Sequence, residues 1–323
     1  MKIVLVTPAG PKTRTGNRNT AVRWARMLDG AGHQTKVTTQ WDGKPADLMI
    51  ALHARRSHDS IRRFHAAHPA QPLVVVLTGT DLYRDIHQDA SAQQSMELAT
   101  LLVALQDQGP LELAPHLRKK TRVIYQSAPQ ARGGGQRQAG MRYFTVCVVG
   151  HLREEKDPFR AAYALAYLAS DSRIRVLHLG RAMDGAHERE ALRLSAQQAR
   201  YRWLGEVAPW RVRQVMQRSR VMVISSRMEG GANVISEALA MNLPVLASRV
   251  PGNVGMLGRD YAGFFPYGDE QALADLLRRA ETDHAFYRRL VKQCAARRKL
   301  THPDRERRTL AAIVKEATRL AGA

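Results

Sequence analysis

The sequence predicts an α/β protein of two doubly wound parallel sheets, and three observations carry that prediction. Short β-branched apolar runs, such as Leu73–Leu77 and Val221–Ile224, read as strands buried on both faces. Helical stretches fall between them, and regular alternation of strand and helix builds parallel sheets with crossover helices. A polar stretch rich in Pro and Gly, residues 127–141, has no periodicity and reads as a linker. A chain of 323 residues suits two domains of ordinary size. The expected division is 1–126, the linker 127–141, and 142–323 ending in a helical segment.

In the first half, residues 3–7 form a strand, followed by a polar loop over 8–17. A helix over about 19–31 follows, with Val22, Ala25, Met27 and Leu28 available for burial. Gly32 closes it, and an extended run resumes over 34–39. Strands near 48–52 and 73–77 flank a basic helix at 57–67. The pattern then predicts a helix over 93–105 and a strand over 122–125. The second half opens with an apolar strand at 144–149. Strands near 175–179 and 221–225 alternate with helices near 158–169, 186–199 and 209–218. From residue 271 onward the chain reads as helical and basic.

Composition narrows the function. The net charge is +21, spread over both halves rather than held in a tail. Such a field draws in anionic small molecules, nucleic acid or an acidic membrane face. Neither zinc-finger spacing nor an RNA-binding aromatic motif accompanies it. The apolar runs are too short to span a bilayer, and the first residues enter a strand without a signal-peptide pattern. The two cysteines, Cys147 and Cys294, follow no metal or redox spacing. The reading is a cytoplasmic protein acting on small molecules, with no nucleic-acid partner and no stable membrane insertion.

Chemistry concentrates in Ser225-Ser226-Arg227-Met228-Glu229-Gly230-Gly231-Ala232-Asn233-Val234-Ile235-Ser236-Glu237. It reads as a strand end, a glycine turn and a helix start. Gly230 and Gly231 allow close backbone approach to a ligand. The amides of Ala232, Asn233 and Val234, at the start of a helix, favour a phosphate. Glu229 and Glu237 repel phosphate and suit hydroxyl groups instead. Amides for phosphate beside carboxylates for hydroxyls fit a sugar nucleotide. A second patch, Gly150-His151-Leu152-Arg153-Glu154-Glu155-Lys156, follows the first strand of the second half. Arg14, Gly16, Asn17 and Arg18 make an anion site at a helix start. At Thr78-Gly79-Thr80-Asp81 neither threonine is a general base, so a hydroxyl acceptor would need help losing its proton.

The two glutamates eight positions apart, on a strand-turn-helix followed by Pro244-Val245-Leu246-Ala247-Ser248, resemble the donor site of family 4 glycosyltransferases. The resemblance implies the GT-B fold, two Rossmann-like domains facing a cleft. It places Glu229 by the donor sugar and Glu237 on the ribose. It makes Lys156, with Arg153, the cation pair on the donor diphosphate. His151 stands where the family has an arginine, and Gly230–Asn233 stands where it usually has Gly-Phe-Gly-Leu. Gly180 matches a family position near the diphosphate, and Leu204 and Gly205 match the segment that reads the base. Lys156, Arg153 and Glu229 are thus the expected catalytic residues. No Asp-x-Asp pair appears, so neither metal nor cofactor is expected.

A narrower resemblance covers nearly the whole chain. Arg14–Arg18, residues 77–83, Gly150–Arg153 and Glu229–Val234 are similar to the selenosugar synthases of selenoneine biosynthesis. This implies transfer of N-acetylglucosamine from UDP-N-acetylglucosamine to selenophosphate, and functional coupling to an enzyme that makes selenophosphate. Arg14, Gly16, Asn17, Arg18, Thr78 and Asp81 would then bind the acceptor. Two other readings stand beside it: a family 4 glycosyltransferase with a hydroxyl or thiol acceptor, and a nucleic-acid-binding protein using its basic faces.

Overall fold

The computed structural model describes residues 1–11, 13, 15–129 and 142–322. The chain divides into two compact units. The first holds Met1–Ser127, Glu229–Asn233 and Pro303–Ala323. The second holds Ala128–Met228 and Val234–His302.

The first unit carries β1 (Lys2–Val6), β2 (Gln34–Thr38), β3 (Leu48–Leu52), β4 (Leu73–Leu77), β5 (Leu101–Ala104) and β6 (Thr121–Val123). All six run parallel in the order β2-β1-β3-β4-β5-β6. Successive side chains of a strand point to opposite faces. Ile3, Leu5, Leu48 and Ile50 therefore pack on one face against Trp24 and Leu28 of the Gly16–Asp29 helix. Val4, Val6, Met49 and Ala51 pack on the other, against Ile61 and Phe64 of the His58–Ala67 helix.

Two expectations are corrected here. The helix expected over 93–105 ends at Leu98, and β5 follows within the same stretch. A four-residue apolar run cannot be assigned to helix or strand by periodicity alone. Parallel pairing of Val74 with Leu101 and of Leu77 with Ala104 makes it a strand.

The second correction concerns the end of the chain. The Pro303–Ala321 helix belongs to the first unit, not to the 142–323 half. Leu310, Ile313, Val314 and Ala317 form a stripe at helical spacing and pack on the Trp24 face of the first sheet. One turn in from the helix start, Glu306 is wholly buried. Its carboxylate accepts from Arg23 Nε at 3.0 Å and Nη2 at 3.1 Å, from Trp24 Nε1 at 2.7 Å, and from Ser127 N–H at 2.9 Å and Oγ at 2.5 Å. Buried charge is tolerated only when it is paired and hydrogen-bonded in this way. Ser127 opens the expected linker 127–141, which from residue 130 lies outside the described residues.

The second unit carries β7 (Phe144–Val149), β8 (Ile174–Leu179), β9 (Tyr201–Trp203), β10 (Val221–Ile224), β11 (Val245–Ser248) and β12 (Phe264–Phe265). Their order is β12-β11-β10-β7-β8-β9, again all parallel. The direction of winding reverses between β7 and β10, and ligands of such sheets bind at the carboxyl ends there. The helix Glu270–Thr282 and the basic helix His284–Arg298 start at Asp269 and Asp283, whose side chains accept from Ala272 N–H and Phe286 N–H. Among the described residues no helix is long and apolar enough to cross a membrane.

Replacing Glu306 by Ala should cost about 3–5 kcal/mol in urea unfolding, because Arg23, Trp24 and Ser127 lose their acceptor together. Glu306→Gln keeps one acceptor oxygen and should cost less. Equal stability of all three proteins would show that the carboxylate does not hold the last helix in place.

Candidate active site

In the second unit a cavity lies at the carboxyl ends of β7 and β10, lined by Gly150, His151, Lys156, His178, Ser225 and Ser226 among others. A Cβ on Gly150 would meet no atom within 4 Å, so this glycine leaves space open beside the cavity. Gly180 lacks its side chain for a different reason. Its φ is +151°, and a Cβ there would overlap the carbonyl oxygen of Gly150.

The loops after β7, β8 and β9 are laced side by side. Gly150 N–H donates to Leu179 O at 2.9 Å, Gly180 N–H to Gly205 O at 2.9 Å, and Leu204 N–H to His178 O at 2.8 Å. Trp203 Nε1 donates to Gly180 O at 2.8 Å. Arg181 N–H donates to His151 Nδ1 at 3.2 Å, which puts the proton of a neutral His151 ring on Nε2. Beneath this lacing His178 is buried, with its Nδ1 2.9 Å from Tyr201 Oη. Burial pushes the His178 imidazole down to about 3, against the opposing pull of a hydrogen bond to the Gly150 backbone.

Lys156 ends a short 3₁₀ turn, Glu154–Lys156, and Asp157 after it adopts a left-handed conformation with φ +43°. Ser225 Oγ donates to Asp157 O at 2.7 Å, and Arg227 N–H donates to Glu155 O at 2.9 Å. The turn is therefore pinned to the end of β10, with Lys156 on the cavity wall. Arg153, expected to share the cation role, is exposed and does not line the cavity. Its Nε lies 3.8 Å from Glu155 Oε2.

The Glu229–Asn233 turn groups with the first unit. A Cβ on Gly230 would overlap the Thr78 carbonyl, and one on Gly231 would collide with Leu105. The sequence reading gave both glycines to ligand approach. Close packing against protein backbone and side chain also requires them. Glu229 and Ala232 are buried, and Asn233 and Val234 begin an eight-residue helix, Asn233–Ala240. Glu237 is half-buried one turn along it.

Asn233 Oδ1 accepts from Arg23 Nη1 at 3.3 Å, and a Cβ on Gly16 would lie 3.5 Å from Asn233 Nδ2. Gly16 and Thr78, expected on the acceptor side, thus meet Asn233 and Gly230, expected on the donor side. Gly16 opens the Gly16–Asp29 helix, and Thr15 before it makes no side-chain cap, so the first-turn amides lack a side-chain acceptor from that residue. Asn17 and Arg18 are half-buried, and Arg18 has no ion pair among the described residues. Arg14 lies outside the described residues.

Asp81 is spent on the protein itself. Its Oδ1 accepts from Thr78 N–H at 2.8 Å, Thr78 Oγ1 at 3.2 Å and Gly79 N–H at 2.9 Å, and its Oδ2 from Ala54 N–H at 2.9 Å. It shapes the Thr78–Gly79 turn that receives Gly230. Sequence reasoning passed over His53, Tyr83 and Arg23. His53 follows β3 with φ +77°, buried, its Nδ1 accepting from Arg56 N–H at 3.3 Å and its Nε2 3.1 Å from Thr80 Oγ1. Burial, partly offset by Asp81, pushes its pKa down. A histidine directly after a five-residue apolar strand was the available signal. Among the described residues no three His, Cys, Asp or Glu side chains cluster as metal ligands.

The family model for glycosyl transferases group 1 matches residues 136–297, and the chain belongs to that family. Glycosyltransferase 1 domain-containing protein 1 of Xenopus tropicalis is 24% identical over 317 residues, covering 90% of each chain. Two solved structures share the fold. Anabaena HepE in complex with UDP has a TM-score of 0.78 at 17% identity, over 98% of this chain and all of that one. Sucrose-phosphate synthase of Thermosynechococcus elongatus has a TM-score of 0.78 at 16% identity, over 97% of this chain and 98% of that one. The fold is GT-B, with two six-stranded parallel sheets.

Gly180→Ala should cost about 3 kcal/mol or more in thermal or urea unfolding, since the left-handed backbone and the Gly150 carbonyl both oppose a side chain. Gly150→Ala should stay within about 0.5 kcal/mol of wild type. Comparable losses at the two positions would contradict the different spaces assigned to them. His178 has a folded pKa below its unfolded one, so the unfolded state binds more protons between about pH 6.5 and 3. Its contribution is present above that window and is lost as pH falls through it. The stability of wild type between pH 6 and 4 should therefore fall faster than that of His178→Gln, by up to about 1.4 kcal/mol per pH unit.

Proposed function

We propose that the protein transfers N-acetylglucosamine from UDP-N-acetylglucosamine to selenophosphate, forming a C–Se bond. The observation that carries this reading is a helix start with an unpaired arginine and no base beside it. Arg18 sits in the first turn of the Gly16–Asp29 helix without an acidic partner among the described residues, where a cation is unfavourable unless an anion joins it. At the Thr78–Asp81 turn the carboxylate is consumed by backbone donors. His53 beside it has its Nδ1 lone pair occupied by Arg56 N–H. A hydroxyl acceptor would find no group ready to take its proton there. An acceptor that is already an anion needs none.

The donor roles follow from the chemistry of each group. Lys156 neutralises the diphosphate, and the Nε2–H of His151 donates to it. The amides of Ala232, Asn233 and Val234 add uncharged donors. Glu237 accepts from the ribose hydroxyls, and Glu229 accepts from hydroxyls of the transferred sugar. Arg153 supplies longer-range charge rather than contact. Gly180, Leu204 and Gly205 hold the loop lacing on which the Gly150 loop rests. A UDP donor is supported by relatives of the same fold: HepE was solved with UDP and with UDP-glucose. In the reaction the C1–O bond to the diphosphate breaks and the leaving UDP takes its electron pair. The selenium of selenophosphate forms the new bond to C1. Gly16, Asn17 and Arg18 hold the acceptor oxyanion, with Thr78 at the neighbouring turn. An enzyme that makes selenophosphate is the functional partner this reaction requires.

Incubating the protein with UDP-N-acetylglucosamine and freshly made selenophosphate should release UDP and give a product with the selenium isotope pattern in mass spectrometry. UDP release only with hydroxyl or thiol acceptors would overturn the selenophosphate reading. Lys156→Ala should lower kcat about 100-fold or more. Glu237→Ala should weaken UDP binding about tenfold in calorimetry, and unchanged affinity would remove Glu237 from the ribose.

A further inference from the structure

We infer that Tyr83 reads the donor sugar, donating its phenolic proton to the carbonyl oxygen of a 2-acetamido group. The inference rests on the UDP-sugar reading above and concerns a residue to which that reading gives no role.

Hydrogen-bond polarity around Gln106 fixes where the Tyr83 proton can go. Gln108 N–H donates to Gln106 Oε1 at 2.6 Å, and a backbone N–H can only donate. That contact fixes which end of the Gln106 amide is oxygen. The other end, Nε2, then donates to Tyr83 Oη at 2.7 Å. Gln106 is wholly buried, so its side chain has no room to reverse. The Tyr83 oxygen is an acceptor in this chain, and its own proton must point elsewhere. Among the described residues nothing accepts that proton. Tyr83 is half-buried, so desolvation is already partly incurred, and a phenol that finds no partner there is costly.

Position adds to polarity. Tyr83 lies in a π-helical turn, Asp81–Asp85, with Ile86 N–H bonded back to Asp81 O. Such turns are rare and concentrate at functional sites. Its own N–H bonds to Gly79 O, and Gly79 abuts Gly230 of the Glu229–Asn233 turn. Burial holds the phenol above the ordinary tyrosine range, and the Glu112, Asp107 and Glu229 carboxylates add to that effect. The group therefore stays protonated at every working pH. Glu229 accepts only and Tyr83 is left to donate only, so the pair reads opposite features of one ligand. Glu229 takes sugar hydroxyls. Among the neutral oxygens of a sugar, an amide carbonyl is a strong acceptor that cannot itself donate, and a 2-acetamido sugar carries one where a plain hexose carries a hydroxyl.

The test compares UDP, UDP-glucose and UDP-N-acetylglucosamine by calorimetry on wild type and Tyr83→Phe, with unfolding followed in parallel. Tyr83→Phe should weaken UDP-N-acetylglucosamine about tenfold, leaving UDP and UDP-glucose within about twofold. Gln106→Glu keeps the phenol but offers it a carboxylate acceptor, and should give the same selective loss. Unchanged affinity for UDP-N-acetylglucosamine in Tyr83→Phe would overturn the inference, as would equal weakening of all three ligands. The donor reading fails separately, and shows itself in wild type alone, if none of the three ligands binds.

Discussion

The carboxylate of Glu306 is the point on which the first unit closes. Five donors from two distant stretches converge on it: Arg23 and Trp24 of the first long helix, and Ser127 where the first unit's main run ends. The apolar stripe turns the last helix toward the sheet, and these hydrogen bonds tie its first turns to Arg23, Trp24 and Ser127. Trp24 and Leu310 share one face of the sheet, and the guanidinium of Arg23 is locked from one side. Its remaining edge then holds Asn233. A buried charge of the last helix thus sets the orientation of an amide in the glycine turn.

Glycines do three different jobs in this chain, and the structure separates them. Gly180, Gly230 and Gly231 are required because protein atoms occupy the place of the side chain. Gly150 is surrounded by space, which makes it the one among these four whose missing side chain a ligand can use. Gly205, with φ +66° and no neighbour at its Cβ position, serves the turn itself. The donor loops of the second unit gain rigidity from lateral backbone bonds and from a neutral His178 underneath them. A rigid backbone of this kind orients amides before a ligand arrives, which lowers the entropic cost of binding.

Much of the fold was legible because parallel strands buried on both faces are written as unbroken apolar runs. Leu73–Leu77 and Val221–Ile224 could hardly be anything else. Leu101–Ala104 was not legible, since four apolar residues fit a helix equally well until β4 pairs with them. The ownership of the Pro303–Ala321 helix was hidden for a related reason: an amphipathic stripe says that a helix packs, never against what. In the candidate site, Lys156 and His151 were readable from their place after β7. The spending of Asp81 on backbone donors, and the enforced polarity of Tyr83, were not. Both depend on hydrogen bonds among Ala54, Gly79, Gln106 and Gln108, which no spacing in the sequence announces.

The placement of the last helix also bears on how the chain is made. A ribosome delivers residues 1–127 early, yet their sheet lacks one of its covering helices until residues 303–321 emerge. At about 5–20 residues per second, the roughly 175 intervening residues take on the order of 10–35 s. Throughout that interval Arg23 and Trp24 lack Glu306, and the sheet face lacks the cover of Leu310 and Ile313. The second unit, contiguous apart from one short turn, can settle first. The half synthesised first is therefore the half completed last.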